Sequence, residues 1–407
     1  MEEGARRRAA HACRVALCDV VAACPCAPNA FRRFVEAKVD DQIALSRAII
    51  VGEQGRRTSA PNPWVGCVIT QHDHIVGEGF HRTAGMPHAE PQALAAAGSF
   101  ARGGTAYVTL EPCNHHGRTP PCTDALITAG ITRVVIAQLD PDPRVSGRGV
   151  ERLRAAGITV TVGICADEAA WSLAPYFHHR RTGRAFCLAK TAVSIDGRTG
   201  AADGTSQWIT GQQARANAHE LRAESQAIIV GPATASNDRP SLTARDVHPP
   251  VERQPLRVLI DARGRVRAEG PLFDQTIART LVMTTTAVNP DVINSWRHAG
   301  AEVLAVTADA DGRVDLAAAL TVLGGRGVLQ AMVEGGSSLH GAFLKANLIN
   351  HLVVYVGPRT IGAQGHSMFG GDGPGTLADA GRWNLVGVQR FDNDLRLDYT
   401  PIQSEVA

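Results

Sequence analysis

The chain has 407 residues, 44% of them hydrophobic and 20% charged, with a formal net charge of +2. That composition suits a globular protein with room for two or three domains, and so small a charge argues against nucleic acid or an acidic membrane as the main partner. No apolar run approaches the roughly 18–20 residues of a membrane span, no continuous h-region marks a secretory signal, and nine thinly spread cysteines (Cys13, Cys18, Cys24, Cys26, Cys67, Cys113, Cys122, Cys165 and Cys187) suit free thiols in a reducing cytosol better than a disulfide framework.

Residues 1–38 stand apart. Cys13, Cys18, Cys24 and Cys26 lie there among alanines and arginines at a spacing that matches no common zinc pattern, and a disordered extension or an over-long gene start is the expectation. Apolar spacing then predicts a helix over 40–53. Short apolar runs broken by Gly and Pro predict strands at 65–70, 75–80, 105–110, 133–138 and 159–164, with helices at 90–97, 122–129 and 149–156 between them. Asp140-Pro141-Asp142-Pro143 reads as a turn after a strand. This alternation predicts an α/β sandwich around one sheet. The polar, basic stretch His178 to Arg184 suggests a boundary, giving one domain over 39–183 and another over 184–407. The second half repeats the rhythm, with strands near 185–191, 227–230, 257–260, 280–284, 303–306, 328–333 and 351–356. No internal repeat links the halves, so two different α/β domains are expected.

Residues 88–122 carry the clearest chemistry. In His88-Ala89-Glu90, Pro112-Cys113 and Pro121-Cys122, one imidazole and two thiolates can hold a zinc ion by three protein ligands, leaving a position for water. A helix start after each Pro-Cys favours the thiolate. Glu90, two residues from the His and not itself a ligand, is the expected proton carrier for hydrolytic loss of an amine from an amidine-like ring carbon. His-x-Glu with Pro-Cys-x-x-Cys marks zinc nucleobase deaminases, but here eight residues, Asn114 to Pro121, separate the cysteines. Asn62, in Pro61-Asn62-Pro63-Trp64-Val65-Gly66, is placed to bond a substrate, the plainer reading being a loop amide bonded to its own backbone. His81, His115, His116 and Arg118 supply donors for a phosphate or polar base.

Pro61 to Cys67, His88-Ala89-Glu90 and above all Thr109-Leu110-Glu111-Pro112-Cys113-Asn114-His115-His116-Gly117-Arg118-Thr119-Pro120-Pro121-Cys122 resemble the pyrimidine deaminase half of the bifunctional riboflavin-biosynthesis deaminase/reductase family. The resemblance implies a cytidine-deaminase-like three-layer αβα sandwich. It also implies deamination of 2,5-diamino-6-(ribosylamino)pyrimidin-4-one 5′-phosphate.

Alone, the second half signals less. No Gly-x-Gly-x-x-Gly follows its first strand. Val333-Glu334-Gly335-Gly336-Ser337-Ser338-Leu339 reads as strand, paired glycines and a helix start suited to phosphate, or as a plain strand-to-helix turn. Lys190 sits among apolar residues at a strand end, where a lysine usually has a partner. Lys190 to Thr199, Ser206 to Thr210, Leu221-Arg222-Ala223, Thr234 to Arg245 and Val333 to Gly336 resemble the reductase half of the same family. That implies a dihydrofolate-reductase-like fold and NADPH-dependent reduction of the ribosyl group to ribityl. By position it implies substrate contacts at Ser206, Arg222, Leu242, Arg245 and Glu334, and Lys190 is expected on the substrate side. Cofactor contacts fall at Ala192, Trp208, Thr234, Asp238 and the turn Gly336, Ser337, Ser338, Leu339, His340, Gly341, Ala342. Arg222 and Arg245 are expected to clamp the ribose phosphate, Trp208 to form an aromatic wall, and Glu334 to accept from amine or hydroxyl groups. Two departures from the family pattern are Arg239, where an acid or amide is usual, and Ala262, where a serine is frequent. The ligands expected are zinc, NADPH and a small phosphorylated pyrimidine, in a cytoplasmic homo-oligomer with no nucleic-acid or membrane partner. The competing readings are a deaminase with a non-catalytic second domain, a nucleic-acid-editing protein, and the same chemistry in a secondary-metabolite pathway.

Overall fold

The computed structural model describes residues 39–402 apart from Arg118 and Arg144. The expectation for residues 1–38 and the role given to Arg118 therefore lie outside the described residues.

The first sheet contains β1 (Gly66–Gln71), β2 (His74–Phe80), β3 (Thr105–Leu110), β4 (Arg133–Gln138) and β5 (Thr159–Val162), in the order β2-β1-β3-β4-β5. β1 runs antiparallel to β2 and β3, and the remaining pairs are parallel. Its helices are α1 (Asp41–Glu53), α2 (Ala89–Ala97), α3 (Cys122–Thr128), α4 (Arg148–Ala155), α5 (Ala166–Ser172) and α6 (Ala174–Thr182). Strand alternation divides the core. Val68, Tyr107 and Val135 meet α1 and α5 on one face, while Cys67, Ile69, Val108, Val134 and Ile136 meet α2, α3 and α4 on the other. The product is a three-layer α/β/α sandwich. Asp40 starts α1 by accepting the Ile43 N–H at 2.8 Å. The basic stretch at 178–184 is a helix end rather than a loop: α6 runs to Thr182 and stops at Gly183, which takes the left-handed φ of 71°.

The second sheet holds nine strands. In chain order the elements are β6 (Phe186–Val193), β7 (Arg198–Gly200), α7 (Gln212–Glu224), β8 (Ala227–Val230), α8 (Pro232–Asn237), β9 (Leu256–Ile260), β10 (Thr280–Thr284), α9 (Pro290–His298), β11 (Glu302–Ala305), α10 (Leu316–Gly325), β12 (Gln330–Val333), α11 (Ser337–Lys345), β13 (His351–Val356), β14 (His366–Ser367), β15 (Trp383–Phe391) and β16 (Asp394–Pro401). The order is β11-β10-β9-β8-β12-β6-β13-β16-β15, with β7 and β14 forming a separate ribbon. Strands β6 to β13 of this sheet are parallel and, apart from the half-exposed edge strand β11, largely buried, whereas β16 and β15 close the other edge as an antiparallel hairpin. That hairpin and α7 are absent from the sequence-based expectation. β15 slips register between Leu385 and Gly387 and exposes much of both faces, so its residues do not alternate. α7 is largely polar and buries only Ala214, Ala218, Leu221 and Ala223.

The two bodies touch along a charged and apolar seam. Arg57 pairs with Glu220, Arg56 Nε lies 3.3 Å from Glu224, and Leu329 joins Trp64, Leu110, Leu173, Tyr176 and Phe177 in one cluster. No helix among the described residues is long and apolar enough to cross a membrane.

Gly66 lies where β1 crosses α1, and a Cβ there would collide with the Ala48 carbonyl oxygen. Gly66→Ala is expected to lower stability by about 1–3 kcal/mol, read as an earlier midpoint in urea with an unchanged slope.

Candidate active sites

Three elements bring the metal-ligating types together. His88 is the residue before α2, Cys122 opens α3 after Pro121, and Cys113 follows the end of β3. His88 Nδ1 lies 3.6 Å from Cys113 Sγ and 3.3 Å from Cys122 Sγ, and the three donor atoms fall within 4.8 Å of one another. A tetrahedral zinc with bonds of about 2.0–2.3 Å places its ligands roughly 3.5 Å apart, so the donor set fits that ion. A hydrogen bond from Cys122 holds the Cys113 thiol down at about 4, while that bond and burial push Cys122 well above the ordinary thiol value. A dication bound between them would displace the proton.

Glu90 stands in the first turn of α2, 3% exposed. Burial, then the nearby Cys113 charge, push its carboxyl up to about 7, so it can hold or release a proton near neutrality. Asn62 and His81 form a second fixed unit. His81 Nδ1 faces the Pro87 carbonyl at 3.2 Å, which makes it the protonated nitrogen, and Nε2 accepts from Asn62 Nδ2 at 3.0 Å. Burial lowers the His81 pKa, keeping the ring neutral. These residues line a cavity of about 320 Å³ with His88, Glu90, Cys113 and His115. His116 is exposed and is not part of the lining.

The same cavity is walled by residues the sequence reading did not assign to the site: Asp140 and Asp142, read there only as part of a turn, and Tyr176 and Arg180. Tyr176 donates to Asp140 Oδ2 at 3.1 Å, and the Arg180 guanidinium covers the Tyr176 ring at 4.9 Å. A signal was available, since Asp140 follows β4 at the sheet edge where Cys113 follows β3, and open α/β sheets bind ligands at that edge. Glu111 was likewise missed. Its carboxylate accepts backbone N–H groups from Asp140, Gly147, Gly149 and Val150 at 2.9–3.3 Å. A larger cavity of about 540 Å³ lies at the opposite strand ends, around Asp41 and Arg133. Its Asp41 is already paired with Arg133 and Tyr107, and no metal-ligating cluster lies there among the described residues.

In the second body, β12 lies between β8 and β6, and Val333 pairs with Ala189. That register sets Glu334, just past the carboxyl end of β12, beside Lys190, which lies inside β6 rather than at a strand end. Arg222 of α7 grips Glu334 with two bonds, Nε to Oε1 at 2.7 Å and Nη2 to Oε2 at 2.6 Å, and donates to the Thr243 carbonyl at 3.1 Å. Burial pushes the Glu334 carboxyl up, but Arg222 and Lys190 outweigh it and hold the group at about 2. The expected phosphate clamp is thus divided. Arg222, reaching from α7, is bonded to Glu334, while Arg245, exposed and with Nη1 3.4 Å from Ser241 Oγ, is the member of the expected clamp outside an ion pair among the described residues.

The other positions sort by exposure. Leu242 takes a left-handed φ of 51° and buries its side chain. Ser206 and Trp208 share the loop before α7; Trp208 is 55% exposed, with the Arg215 guanidinium 4.4 Å over its ring. Thr234, in α8, abuts Gly336, where a Cβ would lie 3.4 Å from Thr234 Oγ1. Asp238 ends that helix, and Ala192 packs toward α7. Gly336, Ser337 and Ser338 open α11 with no side-chain cap, leaving backbone N–H groups for an anion. Leu339 packs against Gly335, and Ala342 is partly buried. His340 and Gly341, placed by the resemblance in the cofactor turn, instead face the interior. His340 Nε2 lies 3.2 Å from the Val333 carbonyl, and Gly341 packs on Gly370.

Comparison with known proteins matches residues 38–138 to the family described as cytidine and deoxycytidylate deaminase zinc-binding region, and residues 185–397 to the RibD C-terminal domain. The chain is 46% identical over 325 residues to the riboflavin biosynthesis protein RibD of Chlamydia trachomatis, spanning 80% of this chain and 86% of that one. It is 40% identical to the protein of that name from Escherichia coli, across 88% and 99% of the two chains. Among solved structures, Acinetobacter baumannii RibD superposes with a TM-score of 0.79 at 38% identity, covering 89% of this chain and 99% of that one. A Thermotoga maritima diaminohydroxyphosphoribosylaminopyrimidine deaminase/5-amino-6-(5-phosphoribosylamino)uracil reductase gives 0.77 at 31%, with the same coverage.

The ligand geometry predicts the behaviour of Cys122→Ser. The purified variant should fold but carry well under half the zinc of the unmodified protein, measured by elemental mass spectrometry after dialysis.

Proposed function

The chain belongs to the bifunctional riboflavin-biosynthesis deaminase/reductase family, and from that premise we propose how its own residues divide the two reactions. It is an enzyme with a zinc-dependent deaminase and an NADPH-dependent reductase in one polypeptide. We assign residues 39–183 to the first reaction and 184–407 to the second. The proposed substrate is a small phosphorylated diaminopyrimidine.

His88, Cys113 and Cys122 would hold the zinc, which when bound supplies a water of lowered pKa. Glu90 carries the proton: its carboxylate accepts one and returns it to the departing amine. Asn62 and His81 orient the ring, each fixed by the other, while His115, which lines the same cavity, is assigned to the polar and phosphate groups. Asp140 and Asp142 offer acceptors on the opposite wall for exocyclic amines.

In the reductase crevice NADPH supplies the hydride. Thr234, Trp208, Ala192, Asp238 and the start of α11 form its side, and Lys190, Ser206, Arg245 and the Leu242 backbone form the substrate side. Arg222 and Glu334 act as a neutralised pair that shapes the floor, and the Lys190 ammonium lies beside them. A homo-oligomer is part of the reading, supported by Leu385 and Val388, 54% and 56% exposed on the edge strand β15. The small net charge of +2 supports a metabolite over a polynucleotide substrate.

The observation that carries the reading is the His88, Cys113 and Cys122 triangle with a buried Glu90 in one cavity. Glu90→Gln is expected to keep its zinc and lose at least about 10²-fold in ammonia release, while NADPH oxidation with the deaminated compound stays unchanged. Ammonia release at the unmodified rate would remove Glu90 from its role.

A further inference from the structure

We propose that Tyr355, locked in place by Asn217, is a positioning residue that fixes the aim and charge state of the Lys190 ammonium in the reductase crevice. In the parallel pairing of β6 with β13, Lys190 stands opposite Val353 and Ala192 opposite Tyr355. Lys190 and Tyr355 are therefore diagonal neighbours on one face of the sheet, the face that packs against Ala214, Ala218 and Leu221 of α7. Lys190 Nζ lies 5.7 Å from the centroid of the Tyr355 ring, inside the range of about 6 Å over which an aromatic face attracts a cation.

The ring cannot turn aside. Tyr355 is 1% exposed, and its hydroxyl donates to Asn217 Oδ1 at 2.6 Å. The same oxygen accepts from Arg396 Nη1 at 3.0 Å, and Arg396 is held in turn by Asp398, which also meets His351. Around the ammonium the charged and titratable groups come from three further elements. Glu334 at the end of β12 is already gripped by Arg222 of α7, His219 lies beside Arg222, and His340 sits on α11. Among the described residues Lys190 makes no hydrogen bond and no ion pair within 4 Å, so the buried Tyr355 ring is a fixed group that its ammonium faces without competition from a direct bond.

The choice of residue points the same way. The chain has three lysines, Lys38, Lys190 and Lys345, among 41 basic residues, the other 38 being arginines. A chain that meets nearly every need for positive charge with arginine places a titratable amine here. Burial lowers the Lys190 pKa, Glu334 raises it and Arg222 lowers it again; the ring acts on the side of the charged form. Without the ring, the amine should lose its proton at a lower pH and be free to swing.

This inference rests on the placement of Lys190 in the reductase site, and its test reads Lys190 directly. Full-length protein labelled with [ε-¹³C]lysine should give three resonances, with Lys190 assigned by its loss in Lys190→Arg. The Lys190 midpoint in Tyr355→Leu should fall by about 0.5–1.5 pH units relative to the unmodified protein, whereas Tyr355→Phe, which keeps the ring, should stay near the unmodified value. The alkaline limb of the NADPH oxidation profile should move with the midpoint, and ammonia release should be unaffected. Tyr355→Met gives the same comparison at closer volume if the leucine variant does not fold. A folded variant lacking the ring whose Lys190 titrates as in the unmodified protein overturns the proposal. A shifted midpoint in a protein that never oxidises NADPH would leave it standing and sink the reductase reading instead.

Discussion

Four backbone N–H groups converge on the Glu111 carboxylate, and the deaminase site hangs on that convergence. β3 ends at Leu110 and the chain must turn at once to carry Cys113 toward His88. The donors come from the segment after β4 and from the start of α4, so one side chain binds two strand ends and a helix start into a single block. Asp140, which walls the cavity beside His88, Glu90 and Cys113, belongs to the same block. Charge-assisted bonds to backbone amides are about twice as strong as neutral ones, which suits a carboxylate buried without a cationic partner among the described residues. Ligands on three separate elements can meet within bonding distance of one ion only where such a knot removes the freedom of the loops between them.

The second site solves a related problem by register. Because Val333 pairs with Ala189, Glu334 and Lys190 emerge side by side, and Arg222 closes on Glu334 from above. A buried carboxylate is costly to leave unpaired, and the bidentate fork meets that cost while leaving the Lys190 ammonium unbonded. α7 serves two masters. Glu220 and Glu224, one turn apart, pair with Arg57 and Arg56 of the first body, while Arg222 between them turns to Glu334. The helix that carries Arg222 is thereby fastened to the segment leading into Asn62.

Much of this was legible in the residues themselves. The strands at 105–110, 133–138, 227–230, 280–284 and 351–356 lie where their apolar runs place them, because Gly, Pro or polar residues bound each run. His88, Glu90, Cys113 and Cys122 were legible for a different reason: few chemistries require an imidazole, two thiols and a carboxylate at those spacings. The hairpin β15–β16 was not, since an edge exposed on both sides carries no alternation. Nor were Tyr176 and Arg180 as walls of the first cavity, or the pairing of Arg222 with Glu334, 112 residues apart. Those depend on which strands become neighbours, and local periodicity does not contain that information. The sequence reading of Arg222 as a phosphate ligand left out its fork onto Glu334 for this reason.

Two stations acting in order on one phosphorylated pyrimidine is the central claim. Its most direct measurement follows ammonia and NADPH together in one sample of the unmodified protein given the diaminopyrimidine phosphate. Ammonia should appear first, NADPH consumption should follow after a lag, and the two should converge on one equivalent each. NADPH consumption that runs ahead of ammonia, or that proceeds in its absence, would contradict the account.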